Sequence, residues 1–159
     1  MCVGYTVALW VNFTHAVSGR PYVCMSNGGH SELSHGIAML YDGTSLEMRF
    51  RHPDGREWAA RSDNVLPGRW YHVTAVWNVV DGLSLYVDGD LAQRDRLPRR
   101  RPGSADGTRS GEFLIGRAND ETGVGVGERR PLAIDEFNFW SEYKNASAVK
   151  QLGLSALVR

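Results

Sequence analysis

The stretch WYHVTAVWNVVDGLSLYVDG, residues 70–89, indicates the fold class of the whole chain. Its segments 70–77 and 83–87 are rich in aromatic and β-branched residues, which favour strands. They flank residues 79–82, which end in an Asp-Gly turn, as in a β-hairpin. Alternation places His72 in a row of mainly packing residues, where we expect it to be hydrogen-bonded within the sheet. The stretch therefore predicts antiparallel sheet and not a catalytic motif.

Turn signals divide the rest of the 159-residue chain into further short segments. Asp-Gly pairs recur at 42–43, 54–55, 81–82 and 88–89, and such pairs favour turns between strands. Besides the two strands of the hairpin, the predicted strands are 5–13, 22–25, 36–41, 45–51, 57–61, 112–116 and 133–140.

The remaining segments complete the predicted architecture. Residues 91–111 are predicted to form a long linker, and 146–152 a short helix that begins at Asn145 as its N-cap. About nine strands at this spacing are typical of a sandwich or jelly roll. We therefore predict an all-β fold: a two-sheet antiparallel jelly-roll sandwich with one short C-terminal helix, as a single domain over 1–159.

Composition and charge narrow the classes of partner. Hydrophobic residues make up 42% and charged residues 23% of the chain, and the formal net charge is zero. These values are ordinary for a soluble globular protein and imply neither nucleic acid nor an anionic membrane as a partner. The longest apolar runs fall well short of the roughly 18 residues of a transmembrane helix. We expect no direct membrane contact.

Two features favour an extracellular compartment. The chain has two cysteines, Cys2 and Cys24, and a disulfide between them would stabilise the fold by roughly 3 kcal/mol. Asn12 and Asn145 each begin an Asn-x-Ser/Thr motif, the acceptor for N-glycosylation in secreted proteins. The alternative is two free thiols in a reducing compartment. We predict an extracellular or cell-surface location.

The sequence AIDEFNFWSE, residues 133–142, is the candidate for carboxylate chemistry. Glycoside hydrolysis needs two carboxyl groups facing one another across the bond that is cleaved. Asp135 and Glu136 are adjacent in a predicted strand and point to opposite faces, while Glu142 lies beyond the strand. We therefore predict no enzyme activity. Asp135 is instead interpreted as a partly buried structural carboxylate that holds loop amides, or as a metal ligand.

The segment QRDRLPRRRPGSADGTR, residues 93–109, concentrates positive charge. Its six arginines form a predicted ligand patch for sulfated glycans or acidic partners, because guanidinium groups bind sulfate and carboxylate in a bidentate manner. Two prolines disfavour a helix or an interior strand there. The alternative is a solvated insertion without a ligand. The arginines of the patch are Arg94, Arg96, Arg99, Arg100, Arg101 and Arg109.

Four segments in order carry a family resemblance. They are TVALWV (6–11), the opening stretch (70–89), EFLIGRANDE (112–121) and LAIDEFNFWSEYKNASAVKQL (132–152). Together they resemble the laminin-G-like, concanavalin-type jelly roll, most closely its pentraxin-like branch, over about residues 5–152. The resemblance implies two antiparallel sheets packed face to face with one short surface helix. It also implies a binding module, since most members of the family are not enzymes.

The two cysteine positions of the pentraxin disulfide carry other residues in this chain. The family signature His-x-Cys-x-x-Trp corresponds to residues 72–77, with Thr74 at the cysteine position. The partner cysteine of the family corresponds to about Ala8. Both half-cystines are absent together, and the resemblance implies that Cys2 and Cys24 staple the same N-terminal region instead.

The calcium loop of the family is only partly preserved. Its acid, amide and Asp correspond to Ala118, Asn119 and Asp120, so the first carboxylate is absent. The second set of ligands corresponds to Ser34 and His35, which suit calcium poorly because this ion prefers oxygen ligands. The resemblance implies no double site. It leaves a single Ca²⁺ at Asn119 and Asp120 as the one candidate cofactor, against a simple polar turn.

These observations predict a non-catalytic extracellular recognition or adhesion module within a larger cell-surface receptor or matrix protein. Pentraxin-like domains occur in the ectodomains of adhesion-type seven-helix receptors, among other proteins. The expected partners are an extracellular protein or a sulfated glycan, together with neighbouring domains of the larger chain. The alternatives are a calcium-dependent lectin, a structural spacer and a glycan-cleaving enzyme. Members usually have a strand before the one matching 6–11, so a sheet edge completed by 152–158, by another chain or by residues outside this sequence is expected.

Overall fold

The computed structural model describes residues 4–15, 21–28, 35–100, 113–116 and 132–157, which form two antiparallel sheets and one helix. The strands are β1 (Gly4–Phe13), β2 (Tyr22–Ser26), β3 (Gly36–Tyr41), β4 (Ser45–Arg51), β5 (Arg56–Asp63), β6 (Trp70–Asn78), β7 (Gly82–Val87), β8 (Asp90–Asp95), β9 (Arg99–Arg100), β10 (Leu114–Ile115) and β11 (Leu132–Trp140), and the helix is α1 (Ala146–Leu157). The five-stranded sheet has the order β11-β1-β6-β7-β8, and the six-stranded sheet the order β10-β2-β3-β4-β5-β9. The predicted all-β two-sheet fold with a C-terminal helix is confirmed.

The core lies between the inner faces of the two sheets. Phe13 of β1 stacks on Tyr41 of β3 with 3.6 Å between ring centroids. Trp77 of β6 contacts both Phe50 and Trp58 of the six-stranded sheet, at 4.3 and 5.4 Å. Each such large side chain gains about 1.5–3 kcal/mol from burial. The alternation predicted for the stretch 70–89 thus places Trp77 and its face inward.

The outer face of the five-stranded sheet is partly covered by α1. The helix begins where Asn145 Oδ1 accepts a hydrogen bond from the Ala148 amide at 2.9 Å, which confirms the predicted N-cap. Val149 packs against Val76 and Tyr86 of the sheet. In the described part of the chain no helix is long and apolar enough to cross a membrane.

The predicted linker over 91–111 is wrong in its first part. Residues Asp90–Asp95 form β8 at the edge of the five-stranded sheet, and Arg99–Arg100 pair with β5. The side chains of Gln93 and Asp95 accept hydrogen bonds from the Arg61 and Ala59 amides of β5. This polar segment forms a strand because its backbone pairs with β7 across the Asp88-Gly89 turn, and β5 supplies donors for two of its side chains.

The edge expected to be completed by 152–158 is a second correction. Residues up to Leu157 are helical, so this segment does not add a strand. β1 lies between β6 and β11 and is not an edge strand. The long edge strand is β11, which has a register shift opposite Ala8 and Trp10.

Candidate binding surfaces

His72 lies on the outer face of β6, close to α1. Its ring packs edge-on against Trp10 at 5.2 Å, and it is 6% exposed. The backbone amide of His72 donates to Asp88 Oδ1 at 2.9 Å. Nδ1 of the ring has no hydrogen-bond partner in the part of the chain that the structure describes. The expectation that the imidazole is hydrogen-bonded within the sheet is therefore wrong for this nitrogen.

The interpretation of Asp135 as a partly buried carboxylate is wrong. It is exposed, and its Oδ1 accepts a hydrogen bond from the Glu136 amide at 2.8 Å. Glu136 has a φ of 49°, in the left-handed region, at the irregular position of β11. The bulge turns the Asp135 side chain away from the core, where alternation had placed it. Its structural role is confined to holding the amide of its own bulge.

Several predicted sites lie outside the described residues. These are the calcium ligands Asn119 and Asp120, Cys2 of the disulfide, and Arg101 and Arg109 of the ligand patch. Cys24 is buried in the core, and the disulfide stays a prediction. Within the described ranges, no three His, Cys, Asp or Glu side chains come together to hold a metal ion.

The two glycosylation motifs occupy different environments. Asn145 is exposed at the start of α1, with its Nδ2 not used by the cap. Asn12 pairs with both Trp70 and Ala133 in the interior of the sheet, and its Oδ1 is buried. An acceptor must be reached by a transferase in a surface segment. Asn145 meets that condition better than Asn12.

The described arginines of the predicted patch do not form one cluster. Arg94 lies on β8, and its Nε donates to Ser84 Oγ at 2.8 Å. Arg99 and Arg100 are exposed on β9 at the edge of the six-stranded sheet, and Arg96 is exposed in the connection to them. Among the described residues no carboxylate forms an ion pair with Arg96, Arg99 or Arg100. These three residues are called the arginine edge below.

The other described arginines outside this patch are all paired with carboxylates. The pairs are Arg49–Glu47, Arg51–Glu57, Arg56–Asp54, Arg61–Asp63 and Arg69–Asp88. A paired guanidinium has its charge compensated and its donors occupied, so it attracts an added anion weakly. The arginine edge therefore differs from these five described arginines in having uncompensated donors.

A polar groove on the outer face of the six-stranded sheet was not predicted from the sequence. It is lined by Pro21, Leu40, Tyr41, Asp42, Ser45, Glu47, Arg49 and Arg61. Arg61 spans it: Nε donates to Asp63 at 2.8 Å, and Nη2 to Asp42 at 2.9 Å and to Ser45 at 2.6 Å. Cross-strand register, and not sequence proximity, brings these groups together. A pattern of polar residues at alternate positions in β4 and β5 was the available signal.

Hydrogen bonding in this groove shifts several pKa values. The bond from Arg61 lowers the pKa of Asp63 and in turn raises the pKa of Arg61. Partial burial opposes ionisation of Asp42, but the Thr44 and Ser45 amides and Arg61 together lower its pKa. Beneath the groove, burial raises the pKa of Tyr41 to about 12, with nearby Tyr71 and Asp42 adding to the effect. The groove is thus a fixed, charge-compensated network.

Comparisons with known proteins agree with this architecture. The laminin-G-type model of the concanavalin A-like lectin/glucanases superfamily matches residues 3–150. The chain belongs to this superfamily. A comparison with curated protein sequences gave no match. The resemblance to laminin-G-like jelly rolls is confirmed.

Solved structures share the fold at low sequence identity. The botulinum neurotoxin serotype D binding domain superposes with a TM-score of 0.71 at 15% identity, covering 100% of this chain and 37% of the toxin chain. The serotype G binding domain gives 0.72 at 12% identity, covering 98% and 37%. A Trypanosoma rangeli sialidase gives 0.68 at 18% identity, covering 97% of this chain and 23% of the sialidase. The chain thus spans well under half the length of each of these proteins. At such low sequence identity, the similarity shows the shared fold alone.

Proposed function

We propose that this superfamily member is a non-catalytic recognition module that acts outside the cell as part of a larger cell-surface or matrix protein. Its ligand carries anionic groups, as on a sulfated glycan or an acidic protein surface, and binds at the arginine edge. The observation that carries the proposal is the contrast between Arg96, Arg99 and Arg100, without described carboxylate partners, and the paired arginines elsewhere.

Strand pairing fixes part of the arginine edge, and its side chains remain exposed. Arg99 and Arg100 pair with Glu57 and Arg56 of β5, so the strand backbone holds their Cα atoms in place. Their side chains are exposed and retain free guanidinium donors for bidentate contacts with sulfate or carboxylate. Because the formal net charge of the whole chain is zero, attraction to an anion must come from a local concentration of charge.

Two further observations support the recognition role. The toxin structures that share the fold are binding domains by their own descriptions, at identities too low to transfer a ligand. Asn145 stands exposed within an Asn-Ala-Ser motif, as a glycosylated extracellular protein requires. A Ca²⁺ at Asn119 and Asp120 remains a separate proposal that calcium-dependent melting would test.

The test uses heparin as the sulfated probe. The triple variant Arg96→Gln, Arg99→Gln, Arg100→Gln should elute from immobilised heparin at lower salt than the native domain. Three exposed ion pairs at about 0.2–1 kcal/mol each correspond to roughly a 3- to 150-fold weaker affinity. A matched control, Arg69→Gln, Lys144→Gln, Lys150→Gln, removes the same charge at surface positions outside the arginine edge and should elute as the native domain does. Equal losses in both triples, or no retention of the native domain, would overturn the proposal.

A further inference from the structure

The contact between α1 and the five-stranded sheet is small. Among the helix side chains that the structure describes, Val149 is fully buried, in a cluster with Val76 and Tyr86. Gly153 lies against the β7–β8 turn, where a Cβ would be 3.5 Å from Gly89 Cα. One buried aliphatic side chain contributes about 1.5–3 kcal/mol, so few apolar contacts hold the helix in place.

Polar groups without partners lie near this contact. His72 is 6% exposed and Thr74 0%, and both lie on the same face of β6 as Val76. Neither His72 Nδ1 nor Thr74 Oγ1 has a hydrogen-bond partner in the described ranges. A Cβ at Gly153 would be 3.6 Å from His72 Nδ1, so the helix backbone faces this nitrogen. Each unsatisfied buried group costs about 1–3 kcal/mol, which offsets much of the apolar gain.

The charged groups around His72 do not compensate a proton on its ring. Burial lowers the pKa of His72, and the attraction of Asp88, from the β7–β8 turn, and of Glu136, from β11, is too weak to reverse this. Asp88 is already engaged by Arg69 at 3.0 Å and by the His72 amide. On the helix side, the nearby charged residue is Lys150, which lies over Gly89 and would repel an imidazolium.

From this arrangement we infer that α1 is released by acid: it covers the outer face of the five-stranded sheet when His72 is neutral, and protonation of His72 favours the detached helix. Detachment lets water reach the imidazole and the Thr74 hydroxyl. It also exposes Val76 and Tyr86, so the module presents a different surface in an acidic compartment. This inference is independent of the arginine edge.

The sign of the pH dependence follows from the lowered pKa. A histidine whose pKa is depressed in the docked state stabilises docking fully above its ordinary pKa of about 6.5. That stabilisation falls as the pH drops from about 6.5 towards the pKa of His72 in the docked state. The equilibrium constant for docking decreases by at most about tenfold for each pH unit in this range. The amides of α1 should therefore lose protection selectively between about pH 6.5 and pH 5.

Hydrogen exchange of the α1 amides between pH 7.5 and pH 5, corrected for intrinsic rates, tests this inference. Native protein should lose α1 protection relative to β6 as the pH falls, and His72→Gln should abolish that relative loss. His52→Gln, which removes an exposed histidine paired with Asp54, is the matched control and should behave as the native protein does. Protection of α1 that is independent of pH, or a loss retained in His72→Gln, would overturn the inference.

A second measurement covers the case in which His72→Gln does not fold. The imidazole resonance of His72 can be titrated by NMR in the native protein, where a pKa at or above 6.5 would contradict the inference. Thr74→Val should raise α1 protection at every pH, because it replaces an unsatisfied hydroxyl with a methyl group of similar volume. Its pH dependence should remain that of the native protein, since His72 is retained. Reduced protection in Thr74→Val would show that the hydroxyl is satisfied after all.

Discussion

The ion pair between Arg51 of β4 and Glu57 of β5 gives the sharpest stability prediction. It lies on the outer face of the six-stranded sheet, yet the two side chains are only 3% and 2% exposed. Removing one partner of a buried pair costs about 3–5 kcal/mol, because the other charge stays buried after it has lost this partner. Glu57→Ala should therefore lower the melting temperature by about 6–20 °C, at about 2–4 °C per kcal/mol for a domain of this size.

A double-mutant cycle separates burial of charge from loss of packing. Arg51→Met and Glu57→Leu should each be strongly destabilising in urea unfolding, while the double variant recovers most of the loss because neither charge remains. The control is Glu142→Gln, which breaks an exposed pair with Lys144 and should cost less than about 1 kcal/mol. If Glu57→Ala costs no more than Glu142→Gln, then solvent screens the buried pair and the reasoning fails.

Three further predictions concern single positions. Gly153→Ala should stabilise the domain by about 0.5–1 kcal/mol, because alanine favours the helix and the added Cβ meets Gly89 and His72 at 3.5–3.6 Å, an ordinary contact distance. A lower midpoint of urea unfolding would show that α1 cannot accommodate the methyl group. Gly82→Ala should destabilise the domain by more than about 1 kcal/mol, since Gly82 has a φ of 75° and an added Cβ would lie 2.0 Å from the Asp95 carbonyl oxygen. An unchanged midpoint of urea unfolding would contradict the close approach of β7 and β8. Arg61→Gln should raise the pKa values of Asp63 and Asp42, so that ¹³C carboxyl NMR shows both titrating at higher pH than in the native protein; unchanged titrations would mean that Arg61 does not hold these carboxylates in solution.

Local patterns were sufficient for the elements that are stabilised locally. The hairpin around Asp81-Gly82 and the N-cap at Asn145 depend on residues within a few positions of one another, and both were predicted correctly. β8 pairs with β7 after the Asp88-Gly89 turn, but it was missed because its residues are polar and show no strand pattern. Part of its support comes from β5, whose amides reach Gln93 and Asp95 across 32 and 36 residues of sequence. No propensity or periodicity within residues 90–95 carries that information.

The candidate surfaces show the same division. An arginine-rich composition was visible in the sequence, but the separation of Arg94 from Arg99 and Arg100 follows from their placement in different sheets. The polar groove requires the register between β4 and β5, which sets Glu47 opposite Arg61 and Ser45 opposite Asp63. Asp135 was placed on the wrong side because alternation assumes a regular strand, and the bulge at Glu136 breaks it.

The contacts of Gln93 and Asp95 with β5 have a consequence for solubility. An amide on the margin of a sheet that lacks a partner can serve as a template for a strand from another molecule. Here the Gln93 carboxamide oxygen and an Asp95 carboxylate oxygen accept hydrogen bonds from the Arg61 and Ala59 amides. These two side chains therefore bind the backbone donors with which an incoming strand would pair. This margin therefore resists self-association without a further backbone strand, and loss of either side chain would weaken that resistance while leaving both sheets intact.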